Sequence, residues 1–303
     1  MNWAVGIDVG GTNLKAVAVA ADGTVLHRAS RASEDGVATA SDWTRHARAT
    51  LAEFSRLRGG APAAVGVCAP GLAAADGRSI AHLPGKLAGL ERLDWTSALE
   101  RAAVVPVRND AHAALLGEAW TGAARGRQHV VMLTLGTGVG GAVMSDGRLL
   151  RGAIGRAGHI GHLSLDPDGP ASIVGMPGAI EVMIGDCTLA SRSGGRFTST
   201  AALVAAHQAG DSEASRLWLR SVRSLAFALG SCINLFDPEI IVLGGGISAA
   251  GEALFGPLAI ELDRIEWRPG GHRVPVVPAV LGEWAGAIGA AWQASQPEVP
   301  SRS

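Results

Sequence analysis

The stretch Asp8-Val9-Gly10-Gly11-Thr12-Asn13-Leu14-Lys15 joins two short β-rich runs, Trp3 to Asp8 and Lys15 to Val19, and predicts a hairpin with a polar turn. Adjacent glycines let a backbone approach an anion closely, and their free N–H groups can bind phosphate. Thr12 adds a hydroxyl donor, and Asp8 at the strand end could hold Mg²⁺ through water. An ordinary β-turn is the alternative interpretation of these residues.

A second Gly/Thr-rich turn, Gly136-Thr137-Gly138-Val139-Gly140-Gly141, lies between the predicted strands His129 to Leu135 and Ala142 to Met144. It is not a Walker A loop, because no Gly-Lys-Ser/Thr follows, and it lacks the helix and distal acid of a dinucleotide fingerprint. Two such hairpins, one near the start of each half, indicate internal duplication. Facing each other, the two turns would bind a polyphosphate from both sides.

The rest of the chain alternates predicted strands and helices. Further strands are predicted over residues 63–68, 103–107 and 239–243, and helices over residues 42–57, 111–121, 221–235 and 284–294. Residues 296–303 are predicted to form a loose tail.

Asn109-Asp110 follows the predicted strand 103–107, at the strand end where open α/β sheets bind their ligands. Phosphoryl transfer to a hydroxyl needs one acceptor for the hydroxyl proton, and Asp110 fits that role while Asn109 fits hydroxyl binding. An Asn-Asp helix N-cap is the alternative, and both can hold at once. Gly244-Gly245-Gly246 follows another strand and offers a flat backbone surface for a nucleoside, or merely permits tight packing.

Composition excludes several classes of protein. The 303 residues are 48% hydrophobic, enough for a sizeable core, and the formal net charge is −1 with both signs interspersed, so no basic stripe predicts nucleic-acid binding. Cys68, Cys187 and Cys232 are odd in number and far apart, which favours a reducing compartment. No signal peptide or membrane span is evident, so we expect a cytoplasmic protein with no membrane partner.

Taken in this order, the elements resemble the ROK family (repressors, open reading frames and kinases), whose enzyme members are sugar kinases such as glucokinase. The resemblance runs from Asp8 to about Ala291. It includes four further segments: Gly66-Val67-Cys68-Ala69-Pro70-Gly71, Gly155-Arg156-Ala157-Gly158-His159-Ile160-Gly161-His162, Asn234-Leu235-Phe236-Asp237-Pro238-Glu239-Ile240-Ile241-Val242-Leu243-Gly244-Gly245-Gly246, and Leu281-Gly282-Glu283-Trp284-Ala285-Gly286-Ala287-Ile288-Gly289-Ala290-Ala291.

The resemblance implies an α/β fold of the two-lobed actin/hexokinase-like (ribonuclease H-like) type, with duplicated mixed sheets flanked by helices and a cleft between the lobes. It implies an N-terminal lobe of residues 1–120, rejoined by the C-terminal helix 284–295, and a C-terminal lobe of residues 121–283. A homodimer is also implied, because related kinases are usually dimers.

The resemblance further implies roles for single residues in an ATP-dependent, Mg²⁺-requiring sugar kinase. Asp110 matches the catalytic base. Positions matching the ATP site are Asp8 (with Mg²⁺), Gly10, Gly11, Thr12, Lys15, Gly136, Thr137, Gly138, Gly244, Gly245 and Gly246. Positions matching the sugar site are Gly71, Asn109, Asp110, His159, His162 and Glu181.

The chain departs from the family pattern at two places. His159 stands where family kinases usually have a Glu that binds sugar hydroxyls, and an imidazole cannot supply two carboxylate acceptors. The zinc motif has lost its thiolates, since Ser172, Val174 and Ala179 occupy the cysteine positions. Because structural zinc needs four ligands and only His162 is left, we predict no zinc, with apolar packing by Val174, Met176 and Ile180 holding the segment instead.

Three functions compete at this stage. The favoured one is phosphorylation of a sugar hydroxyl, most plausibly the 6-OH of a hexose, with a ketose, N-acetylhexosamine or cyclitol as alternative acceptors because of His159. A transcriptional repressor is disfavoured, because the chain starts at its first strand and its charge gives no footprint for DNA. A catalytically inactive sugar sensor is disfavoured because Asp8, Asp110 and both turns are retained.

Overall fold

The computed structural model describes residues 2–32, 39–83, 85 and 87–296, and residues 297–303 of the predicted tail lie outside it. The strands are Trp3–Val9 (β1), Asn13–Ala20 (β2), Val25–Ala32 (β3), Ala64–Ala69 (β4), Leu72–Ala73 (β5), Ile80–His82 (β6), Val107–Asn109 (β7), Val130–Leu135 (β8), Val139–Ser145 (β9), Arg148–Leu149 (β10), Ile240–Gly244 (β11) and Val276–Pro278 (β12). The α-helices are Ala40–Arg58 (α1), Trp95–Ala98 (α2), Asp110–Thr121 (α3), Ile180–Ile184 (α4), Leu189–Arg192 (α5), Thr200–Gln208 (α6), Ser212–Phe236 (α7), Glu252–Ile265 (α8) and Ala285–Ser295 (α9). Short 3₁₀ helices cover Ile160–His162, Asp186–Thr188, Gly246–Ala250, Pro269–Gly271 and Gly282–Trp284.

The chain divides into two compact units. Unit 1 comprises the described residues of 1–126, 151–157 and 281–303, and unit 2 comprises residues 127–150 and 158–280. Each unit has a five-stranded sheet, in the order β3-β2-β1-β4-β7 and β10-β9-β8-β11-β12. In both sheets the first three strands of this order are antiparallel to their neighbours, and the third, fourth and fifth strands are parallel to one another. The duplication predicted from the two hairpins is confirmed.

In unit 1, glycines allow α9 to approach the sheet and α3 very closely. A Cβ at Gly6 would lie 1.8 Å from the carbonyl oxygen of Ala287, and one at Gly289 would lie 1.7 Å from that of Ala113. Such contacts are impossible for any side chain, so these positions require glycine. The opposite face of the sheet is covered by α1, whose Trp43 and Phe54 are fully buried.

Unit 2 is built around α7, whose buried stripe includes Trp218, Leu225 and Leu229. This periodicity is that of an amphipathic helix lying on a core. The indole N–H of Trp218 donates to the carbonyl of Ala253 at 2.9 Å, which connects α7 to the start of α8. The helices α6 and α8 pack against α7 on the same side of the sheet.

Three predicted elements differ from the structure. The helix predicted over residues 221–235 begins nine residues earlier, as α7, Ser212–Phe236. The strand predicted over residues 103–107 is wrong except for its last residue, because Ala103 and Val104 are exposed and pairing with β4 begins only at Val107. Pro106 has no N–H to contribute to a ladder, although its carbonyl accepts from the N–H of Val67. In unit 2 the turn is shorter than predicted, because Val139 already pairs with Leu135.

Candidate active site

Asp8 lies near the end of β1, the central strand of the unit 1 sheet, which pairs with β2 on one side and β4 on the other. Its register partner on β4 is Cys68, whose buried thiol donates a hydrogen bond to the Asp8 carboxylate. A Cβ at Gly286 of α9 would lie 2.7 Å from Asp8 Oδ2, so a bare glycine backbone covers this carboxylate. Burial first, and then the charge of Asp110, raise the pKa of Asp8 from 3.8 to about 7.

Asn109 and Asp110 form the junction between β7 and α3. Asn109 caps the helix, since its Oδ1 accepts from the N–H groups of Ala111 at 3.0 Å and His112 at 3.2 Å. Its Nδ2 donates to the carbonyl of Gly71 at 3.0 Å, which leaves one further amide hydrogen for a ligand. Asp110 is half-buried in the first turn of α3, where the helix dipole favours a carboxylate. Both the capping and the ligand-binding interpretation of this pair therefore remain compatible.

The first glycine-rich turn connects β1 to β2 over Gly10, Gly11 and Thr12. The N–H of Gly10 donates to the carbonyl of Asn13 at 3.0 Å, and the Thr12 side chain is exposed. Lys15 follows on β2, and its Nζ forms a 2.8 Å ion pair with Glu283 Oε2 ahead of α9. The turn thus presents backbone and a hydroxyl group beside a lysine that already has an acidic partner.

The second glycine-rich turn contacts Glu181 of α4. Glu181 Oε2 accepts from the N–H of Val139 at 3.1 Å, and a Cβ at Gly138 would lie 2.2 Å from the same oxygen. The carbonyls of Gly136 and Thr137 accept from the N–H groups of Asp186 and Cys187. The carboxylate of Glu181, a predicted sugar ligand, is therefore in contact with the phosphate-type turn of unit 2.

A cavity of about 440 Å³ lies in unit 2 beside Gly246. It is lined by α6 and by the 3₁₀ helix Gly246–Ala250, which follows β11. Its lining residues include Asp186, Thr200, Gln208, Ile247 and Ala249. Gly245, with φ of +85°, would bring a Cβ to 2.3 Å from the carbonyl of Leu135, so only glycine suits this position. The sequence identified the three glycines but missed Asp186 and Thr200, since no local motif marks them.

His159 and His162 lie together at the 3₁₀ helix Ile160–His162, with ring centroids 6.4 Å apart. This helix packs on β9, because a Cβ at Gly161 would lie 1.8 Å from the carbonyl of Val139. The Nδ1 atom of His162 is buried and has no hydrogen-bond partner among the described residues. Buried polar atoms normally have a hydrogen-bond partner, so this atom is open to a bound ligand or an ordered water.

The segment that resembles a zinc motif is held by its backbone. Ser172 N–H donates to Met176 O at 2.8 Å, and Leu165 N–H donates to Gly178 O at 2.9 Å, within a short antiparallel arrangement. The predicted apolar packing is right for Ile180, which is fully buried, and wrong for Val174 and Met176, whose side chains are 60% and 42% exposed. No group of three or more His, Cys, Asp or Glu side chains able to hold a metal occurs among the described residues. Absence of zinc stays a prediction.

Comparisons with known proteins agree with this architecture. The sequence is 33% identical to a glucokinase from Thermotoga maritima over 95% of both chains. It is 32% identical to an N-acetylmannosamine kinase from Escherichia fergusonii over 94% of this chain and 96% of that one. A ROK hexokinase structure from Thermus thermophilus matches with a TM-score of 0.84 at 31% identity, covering 96% of this chain and 97% of that one. A ROK family glucokinase from Streptomyces griseus, in complex with glucose and AMPPNP, matches with a TM-score of 0.78 at 29% identity over 98% and 100% of the two chains.

The two five-stranded sheets have the same strand order, and a glycine-rich turn follows the central strand of each, β1 and β8. This arrangement defines the actin/hexokinase-like class of α/β proteins. The ROK family model matches residues 4–297, nearly the whole sequence. The protein belongs to the ROK family. None of its described helices is both long enough and apolar enough to cross a bilayer.

Proposed function

We propose that the protein is an ATP-dependent kinase that phosphorylates a sugar hydroxyl, with the 6-OH of a hexose as the acceptor. The observation that carries the proposal is the placement of Asp8 and Asp110 along one sheet: Asp8 lies opposite Cys68 of β4, and Asp110 directly follows β7, the next strand. Two interacting carboxylates at the ends of neighbouring elements are suited to phosphoryl transfer, which needs a proton acceptor and charge neutralisation. The glucokinase and N-acetylmannosamine kinase relatives support the same reaction class.

In the proposed mechanism Asp110 accepts the proton of the attacking hydroxyl. The Asn109 cap fixes the start of α3 and therefore the direction of the Asp110 side chain, while its remaining amide hydrogen binds a sugar oxygen. Asp8 is an oxygen donor of the kind that Mg²⁺ prefers, so it fits a water-mediated Mg²⁺ site completed by ATP phosphates, where the ion would neutralise developing charge. Cys68 keeps the Asp8 carboxylate oriented.

Nucleotide binding is assigned to backbone in both units. The turn of Gly10, Gly11 and Thr12, with Lys15, and the turn of Gly136, Thr137 and Gly138 are proposed to donate N–H and hydroxyl groups to phosphates. The cavity beside Gly244, Gly245 and Gly246 is large enough for an adenine nucleoside. The ATP analogue named with the Streptomyces griseus relative supports ATP as the donor.

The acceptor is bound in part by unit 2, where the orphaned Nδ1 of His162 supports a contact with a hydroxyl. His159 is proposed to donate one hydrogen bond and accept another at the C1/C2 end of the acceptor, with Gly71 and Glu181 contributing further. This donor set is compatible with glucose or mannose, and equally with an N-acetylhexosamine, a ketose or a cyclitol.

The test is a coupled ADP-release assay with MgATP and a panel of hexoses, N-acetylhexosamines, ketoses and cyclitols, on wild type and Asp110→Asn. The variant keeps the shape of the side chain but cannot accept a proton as a carboxylate does, so kcat should fall by about two to four orders of magnitude. Binding of an ATP analogue, followed by calorimetry, should be unchanged. Near-normal turnover in Asp110→Asn would exclude the proposed base, and silence of wild type on every acceptor would exclude the kinase.

A further inference from the structure

Two arginines of unit 1, Arg108 on β7 and Arg151 in the segment 151–157, converge on one turn. Arg151 Nη2 donates to the carbonyl of Ala75 at 3.0 Å. Arg108 Nη1 lies against Gly77 of the same turn, since a Cβ at Gly77 would be 2.7 Å from this nitrogen. The turn itself is fixed by the N–H of Val107 donating to the carbonyl of Gly77 at 2.6 Å. The two guanidinium groups are therefore neighbours.

Neither guanidinium is paired with a carboxylate among the described residues. Arg108 Nη1 donates a hydrogen bond to the carbonyl of Val107 at 2.9 Å. The ion pairs of the described residues include neither arginine. Burial first, and then the charge of Arg151, lower the pKa of Arg108 to about 10, so the group stays charged at neutral pH. Arg108 is the more deeply placed cation, beside the partly exposed Arg151, and leaving such a charge without a counter-ion is costly. A bound anion would offset that cost.

We propose that Arg108 and Arg151 form a binding site for an oxyanion, a carboxylate or phosphate group. Two guanidinium groups offer several N–H donors in a planar arrangement that matches both kinds of oxyanion. Among the described residues, each arginine donates one side-chain hydrogen bond to a backbone carbonyl, so most of its N–H donors remain for a ligand. The site is distinct from the glycine-rich turns, which are proposed to bind phosphate through backbone N–H groups.

The location of the pair suggests two sources for the oxyanion. Arg108 immediately precedes Asn109-Asp110, and the turn follows Gly71 along the chain, so an anionic substituent of the acceptor sugar is one source. A free inorganic anion acting as an effector is the other. The acceptor source rests on the proposed kinase function, whereas anion binding itself does not.

The first experiment measures protection of the full chain against thermal unfolding by sodium sulfate, with sodium chloride of equal ionic strength as the reference. The variants are Arg151→Gln, Arg108→Gln and, as a matched control of equal charge change, Arg48→Gln, which removes an exposed ion pair with Glu100 in the same unit. Wild type and Arg48→Gln should bind sulfate alike, and the two site variants should bind it at least about tenfold more weakly. Equal sulfate binding by wild type, Arg151→Gln and Arg108→Gln would overturn the proposal.

Arg151→Glu provides an independent check, because it gives Arg108 an internal counter-ion. This variant should have a higher Tm than wild type in sulfate-free buffer and should gain nothing from sulfate. A lower Tm with retained sulfate protection would contradict the proposed pairing, and this readout stands even where Arg108→Gln fails to fold.

The second experiment distinguishes the sources by comparing neutral hexoses with hexuronates and hexose phosphates as acceptors. Turnover of an anionic acceptor whose kcat/KM falls at least about tenfold in Arg151→Gln, with neutral acceptors unaffected, identifies the acceptor as the source. Arginine-dependent sulfate binding without turnover of any anionic acceptor identifies a free anion. If wild type phosphorylates none of these acceptors, the proposed kinase function is refuted, while the conclusion from sulfate binding still stands.

Discussion

Replacing Asp8 by Asn should stabilise the protein while abolishing its proposed Mg²⁺ contact. In the folded chain the pKa of Asp8 is raised from 3.8 to about 7, first by burial and second by the charge of Asp110. The difference between these values, at about 1.36 kcal/mol for each pH unit, corresponds to about 4 kcal/mol. A neutral amide of the same shape avoids that cost and can still accept the hydrogen bond of Cys68.

The sign of the pH dependence follows from the raised pKa. Below about pH 4 the carboxyl is protonated in both states, and Asp8 costs nothing. Between about pH 4 and pH 7 only the unfolded chain ionises, so wild type loses stability relative to Asp8→Asn as the pH rises. Above about pH 7 the difference should level off near 4 kcal/mol, or less where the site relaxes or admits water.

Urea unfolding at several pH values, in EDTA and followed by tryptophan fluorescence, measures this difference. Asp168→Asn, an exposed aspartate, is the control and should track wild type at every pH. Asp110→Asn should show a smaller pH slope than wild type, because it removes the second cause of the raised pKa. A wild type that gains stability over Asp8→Asn between pH 4 and pH 7 would refute the reasoning, since Asp8 would then be stabilised as a carboxylate.

Three further predictions concern packing and nucleotide binding. Gly289→Ala should destabilise unit 1 by more than about 2 kcal/mol in urea unfolding, because its Cβ would lie 1.7 Å from the Ala113 carbonyl, whereas Gly230→Ala inside α7 meets nothing closer than 3.5 Å and should stabilise by about 0.5 to 1 kcal/mol. Equal effects of the two variants would contradict the close approach of α9. Ile180→Ala should cost about 2 to 5 kcal/mol, while Val174→Ser at the exposed end of the same segment should cost less than about 0.5 kcal/mol; a large loss in Val174→Ser would restore the packing expected from the sequence. Ala249→Trp should fill the cavity of unit 2 and raise the KM for ATP at least about tenfold without changing the acceptor KM, with Ala202→Trp on the exposed side of α6 as control; an unchanged KM for ATP would remove the nucleoside from this cavity.

Local patterns were sufficient where one short stretch carries all the information. The hairpins around Gly10-Gly11 and Gly136-Thr137-Gly138 were predictable, because alternating apolar residues and paired glycines specify strands and a tight turn without help from distant residues. The strand expected at residues 103–107 failed for the converse reason. Ala103 and Val104 are exposed, and the ladder with β4 starts only beyond Pro106.

Contacts between distant segments were beyond any local pattern. Glu118 of α3 accepts from the N–H of Leu281 at 2.9 Å and so anchors the approach to α9, and nothing in the residues near either position announces the other. The same holds for Glu181, which sequence comparison placed among sugar ligands while the structure shows its contact with Val139.

The sequence by itself determined the family, the duplicated α/β architecture and the candidate phosphate turns, because these depend on residue type and spacing along the chain. The tertiary structure alone decided the chemical state of the site. Asp8 acquires its raised pKa from burial under α9 and from the charge of Asp110. Arg108 and Arg151 become neighbours only because folding brings both against the turn that contains Ala75 and Gly77. Electrostatic energies depend on distance and desolvation, and both quantities exist only after the chain has folded.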